Sequence, residues 1–133
     1  MSVERRKVAL LSAVFLAVPL TALAFSFTLS SFGHSIFSLV CHQVPERSLY
    51  LGGTMPLCAR CFGLYFGFGL AGFFAPAFST RFSGRFLLAG IFASLTLAAL
   101  GPFFPALDAN YLRLFLGLAV GAGLALLIKS VLK

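Results

Sequence analysis

Four apolar runs divide the chain. Val8 to Leu29 carries no charge and would measure about 33 Å as a helix, enough for the ~30 Å hydrocarbon core of a bilayer. Cys61 to Phe78 is uncharged and ends around Ala75-Pro76. Phe86 to Phe104 is uncharged and is interrupted by Gly101-Pro102. Leu114 to Ile128 is shorter and must borrow its flanks to span. Backbone polar groups facing lipid must be paired within their own segment, so runs of this kind predict helices. The predicted helices cover about 8–29, 58–78, 86–104 and 111–129 of one domain, residues 1–133. The expected fold class is all-α: a polytopic integral membrane protein, a four-helix transmembrane bundle with a Cys/His-bearing outer loop, 30–57.

Within that loop, Ile36, Phe37, Leu39 and Val40 form an apolar patch too short to span. It predicts a short interfacial helix near 35–41, stopped before Pro45, whose end delivers Cys41 and His42 to the membrane surface. The first run has a rival reading as a signal peptide, because Glu4-Arg5-Arg6-Lys7 precedes it and Ala22-Leu23-Ala24 offers a small-residue cleavage site. The run continues past that site to Leu29, which favours a retained helix.

Composition sharpens the class. Of 133 residues, 60% are hydrophobic and 10% charged, with a mean hydropathy of +1.04. An ordinary soluble domain is about 45–50% apolar and about 25% charged. A small soluble enzyme could not hide this much apolar surface, and a disordered chain would not contain it. The net charge of +7 would suggest a nucleic-acid partner in a soluble protein. Here the basic residues flank apolar runs, the pattern of membrane topology, so the expected partner is the lipid bilayer and not nucleic acid.

The same residues predict orientation. With the N-terminus inside, Arg5, Arg6, Lys7, Arg81, Arg85, Lys129 and Lys133 lie inside, while Arg47, Arg60 and Arg113 lie outside. That bias predicts a multi-pass cell-membrane protein with both termini cytoplasmic, and an outward loop carrying the Cys residues. A weak internal echo accompanies it. Arg60 precedes Gly63 and Gly67 as Arg113 precedes Gly117 and Gly121, and small residues four apart let helices approach closely.

All three cysteines fall on the outward loop or the helix end beside it: Cys41, Cys58 and Cys61, with His42 next to the first. A Cys-x-x-Cys pair spaces two sulfurs for one metal ion or one disulfide. A third Cys and a His complete four ligands of the type that zinc takes. His42 is the candidate beside Cys41; because adjacent residues do not easily share one ion, the alternatives are that one of the two only supports the site from behind, or that His34 takes the fourth place. A redox-active Cys58/Cys61 pair and a structural disulfide with a spare thiol are the competing readings. Arg60, between the pair, would lower a thiolate pKa under either of the first two. Arg60 and Arg113 lie near glycine stripes, with Glu46 and Asp108 as natural partners. Arg60, Arg113, Glu46, Arg47 and Tyr65 are thus candidates for a polar subsite taking an anionic ligand or a lipid head group. Tyr65 falls one turn below Cys61 on the same helix face. There is no assignable Ser–His–Asp set, no nucleotide loop, and no charge deep in a span, which argues against an ion pathway through the bilayer.

The stretches Cys41-His42-Gln43-Val44-Pro45-Glu46-Arg47-Ser48 and Pro56-Leu57-Cys58-Ala59-Arg60-Cys61-Phe62-Gly63-Leu64-Tyr65-Phe66-Gly67 resemble an uncharacterised family of small prokaryotic membrane proteins, domain of unknown function 2085. Asn110-Tyr111-Leu112-Arg113, with Gly117 and Gly121, resembles that family's closing segment. The resemblance covers roughly residues 33–123. It implies a polytopic helical membrane protein whose motif residues are Cys41, His42, Gln43, Arg47, Cys58, Arg60, Cys61 and Arg113, and it implies no reaction. The leading expectation is a transition-metal site, zinc favoured, for metal binding, sensing or handling. The alternatives are a membrane thiol-disulfide/quinone oxidoreductase and a structural membrane subunit with stabilising cysteines.

Overall fold

The computed structural model describes residues 3–28, 30–50, 53–74, 84–100, 103 and 109–131. Helix α1 runs Val3–Thr28 and a short helix α2 runs Ser30–Phe37. A 3-10 turn, Pro45–Arg47, leads into an antiparallel hairpin, β1 Ser48–Tyr50 and β2 Thr54–Cys58. Helices α3 Ala59–Phe74, α4 Gly84–Leu100 and α5 Asn110–Val131 follow. The expected helix ends at 75–78 and at 101, 102 and 104, together with Arg81, Asp108 and Lys133, lie outside the described residues.

The protein is mostly helical, but the outer loop holds more than the short helix expected in it. The hairpin pairs Ser48 with Cys58 and Tyr50 with Thr54, with a bulge between. It is drawn inward because Met55, Pro56 and Leu57 of β2 are fully buried. Its first strand follows directly from the 3-10 turn, and its second runs without a break into α3. The short helix also stops earlier than the sequence suggested. The buried Phe37 carbonyl accepts both the Val40 and the Cys41 N–H, which closes α2 and turns the chain at Ser38–Val40.

Close glycine contacts fix how the helices run. A Cβ on Gly63 or Gly67 would overlap the backbone of Leu114 or Leu118 respectively. One on Gly117 or Gly121 would overlap that of Arg60 or Leu64. The paired positions advance together, so α3 and α5 are parallel, backbone against backbone, as small residues four apart permit. Gly69 meets Leu16 and Gly72 meets Ser12, which sets α1 antiparallel to α3. Gly123 meets Ile91 and Gly84 approaches Ser130, which sets α4 antiparallel to α5.

Many large apolar side chains point outward along the helices. Leu10, Val14, Leu20 and Phe27 of α1, Phe86, Phe92 and Leu95 of α4, and Phe115 of α5 are exposed. Among the described residues, two segments are long and apolar enough to cross a membrane, Arg6–Phe27 within α1 and Asn110–Val131; Ala59–Phe74 and Gly84–Leu100 are shorter apolar helices.

A three-thiol centre at the bundle end

The hairpin brings the cysteines together. Cys41 leaves the turn after α2, Cys58 ends β2, and Cys61 lies in the first turn of α3. Their sulfurs all lie within 4.8 Å of one another, close enough to hold a metal ion. All three thiols are free. Cys41 is buried, and Cys58 and Cys61 are half-buried. The Cys58 N–H donates to the Cys41 Sγ at 3.3 Å, so the loop sulfur is tied to the strand that carries the second thiol.

An apolar shell surrounds the sulfurs. Cys41 packs with Ala22 of α1, Phe37 of α2 and Leu57 of β2, with Val18, Phe25 and Phe62 around them. Helix α1 therefore supplies one wall of the centre. At the interface between loop and helix, the Cys61 thiol hydrogen-bonded to Cys58 is the largest influence on Cys58 and holds its pKa down at about 5. Burial opposes this, while the N–H groups of Cys61 and Arg60, and the Cys41 thiol, add to it. Main-chain N–H groups at a helix start favour an anion in this way.

His42 is exposed beside Cys41 and stands outside the group of three sulfurs. His34 also stands outside it and serves the turn instead. Gln43 adopts a left-handed backbone, φ 48°, and its Nε2 donates to the His34 carbonyl. The His34 Nδ1 lies 3.4 Å from Gln43 Oε1. That oxygen can only accept, so the ring donates here when Nδ1 carries a proton. This pair braces the chain directly after Cys41.

The remaining candidates lie around the centre. Arg113 is buried at 6% exposure and donates from Nη1 to Asn110 Oδ1 at 3.3 Å. Asn110 Nδ2 in turn donates to the carbonyls of Glu46 and Ser48, at 3.2 and 3.3 Å. Glu46 thus takes part through its main chain, and α5 is fastened to the entrance of the hairpin. Arg60 is exposed, and its Nη2 donates to the Ala98 carbonyl at the end of α4, at 3.1 Å. Arg47 is exposed. Tyr65 is half-buried, its ring centre 5.6 Å from that of Phe15. The hairpin and the Asn110 fastening escaped the sequence reading. The first had a signal in Gly52-Gly53 between two short apolar stretches. The second joins residues 64 positions apart and had none.

A family model described as a predicted membrane protein (DUF2085) matches residues 41–127, from the first cysteine to the last turns of α5. An uncharacterized protein of Methanocaldococcus jannaschii is 51% identical over 35 residues. That stretch is 26% of this chain and 22% of the archaeal protein, so the match spans about a fifth of that relative's length. No solved structure matches the chain.

Proposed function

Because the chain belongs to the DUF2085 family of predicted membrane proteins, we propose that it is a multi-pass protein binding a thiophilic transition-metal ion at its non-cytoplasmic face. The carrying observation is the convergence of Cys41, Cys58 and Cys61, from three different elements, to within 4.8 Å. Thiolate ligands select zinc, cuprous ion or iron–sulfur chemistry over hard cations. Zinc is favoured, since Zn–S bonds of about 2.3 Å in a tetrahedron need sulfurs roughly 3.8 Å apart, which small side-chain rotations reach from here. His42 is exposed and stands outside the sulfur group, so three thiolates form the protein's ligand set and the fourth position falls to a ligand from outside it. The excess of Lys and Arg on the opposite side of the predicted spans supports the outward placement.

Elemental analysis of the purified protein tests this reading. One equivalent of metal is expected in the intact chain and none in Cys58→Ser or Cys61→Ser. A metal-free intact protein, purified without chelator and unable to take up zinc, would refute it. Impermeant thiol reagents, applied to cells after chelation, test the placement: outward thiols react.

The depressed Cys58 thiol beside Cys61 favours a second reading. In it Cys58 and Cys61 lose two protons and two electrons to form a disulfide, a membrane quinone accepts both to become the quinol, and Cys41 is the exchanging thiol. Trapping of thiols across a range of redox poise separates the two readings. A Cys58–Cys61 disulfide that cycles supports the oxidoreductase, and thiols that stay reduced and metal-bound exclude it.

A further inference from the structure

A cleft of about 170 Å³ opens between α3, α4 and α5, and none of the three cysteines lines it. Its lining includes Leu64, Leu95, Val120 and the buried Ser94, with the hydrogen-bonded Arg60 and Ala98 beside them. From Ala98 to Ser94 the cleft follows α4 for about 6 Å, at ~1.5 Å per residue. Arg60 lies in the first turn of α3, and the cleft runs from there along α4 and α5. On the multi-pass reading proposed above, on which this inference rests, that turn lies at the level of the headgroups. Pockets that enclose a drug-sized ligand measure ~300–1,000 Å³, so this one suits a segment of chain rather than a ring system.

The charge at the mouth decides the occupant. No carboxylate lines the cleft among the described residues. One Arg60 N–H is committed to the Ala98 carbonyl, which fixes the guanidinium against the last turn of α4 at the cleft. The planar fork carries five donors in all and matches a phosphate oxygen pair. The Ala98 carbonyl is one of the last of α4, so the contact also caps that helix end, and it leaves the other guanidinium donors open to a ligand at the cleft.

We propose that this cleft is a binding site for an anionic phospholipid, with the headgroup phosphate on Arg60 and the first part of one acyl chain between α3, α4 and α5. The site is separate from the thiol centre and does not depend on what the thiols hold.

The test uses the full-length protein in mild detergent. Native mass spectrometry measures retained phosphatidylglycerol against phosphatidylcholine of the same acyl chains. The expected preference for phosphatidylglycerol is about tenfold, the scale of one charge-assisted contact. Arg60→Gln should abolish the preference, and Arg60→Lys should keep part of it. Ala98→Phe should lower retention of both lipids by filling the cleft while leaving metal content unchanged, which separates this site from the thiol centre. Millimolar inorganic phosphate should fail to displace the lipid. Equal retention of the two lipids, full preference in Arg60→Gln, undiminished retention in Ala98→Phe, or displacement by phosphate alone would each overturn the proposal.

Discussion

The main-chain N–H of Cys58 donates to the sulfur of Cys41 across 3.3 Å, linking residues 17 positions apart. A buried thiol sulfur that accepts a backbone N–H is held in one place before any ion arrives. The same bond joins the end of β2 to the turn after α2, so the geometry of the centre depends on the hairpin staying folded against α1.

Metal removal follows from that arrangement. If an ion bridges the three sulfurs, it binds only the folded state. At a free concentration a thousand times its Kd it contributes about 4 kcal/mol. A strong chelator should lower the thermal midpoint of the intact protein, read by circular dichroism in detergent. It should leave the midpoint of Cys61→Ser unmoved, because that variant has lost one of the three ligands.

Asn110 provides a test of positioning at a distance. Asn110→Ala deletes both donations to Glu46 and Ser48 and the acceptor for Arg113. A loss of about 1–3 kcal/mol is expected from the stranded polar groups. Zinc affinity should fall although every cysteine remains, whereas Asn110→Asp, which keeps the Arg113 acceptor, should recover part of the stability.

The glycine contacts predict opposite signs for similar changes. Gly117→Ala and Gly63→Ala push a methyl into the facing helix backbone and should cost roughly 1–3 kcal/mol, as overpacking does. At Gly90, nothing lies within 4 Å of a built Cβ. Gly90→Ala should therefore raise stability by up to about 1 kcal/mol through helix propensity alone. Thermal midpoints of the three variants in one detergent decide it.

The N-terminal helix is expected to be part of the site. Ala22 is fully buried against Cys41 and Leu57, and Gly69 and Gly72 of α3 pack against Leu16 and Ser12. A chain starting after Ala24 should expose Cys41, lose metal binding and aggregate. Ala22→Leu, which overfills the wall without removing the helix, should weaken zinc binding while the protein remains extractable and helical.

Much of this was legible in the chain. Apolar runs of bilayer length announced helices, because a backbone in lipid has few other ways to pair its polar groups. The cysteines and His42 announced soft-metal or thiol chemistry, because ligand type is a property of the residue itself. The paired glycines at positions 63 and 67, and 117 and 121, marked close-packing faces. Which face meets which is a matter of three dimensions. Only the folded chain sets α3 parallel to α5, draws Met55 to Leu57 inward as a strand, and turns His42 outward while Cys41 turns in. Those outcomes rest on contacts between residues far apart in sequence, and local periodicity records the faces of an element but not its partners.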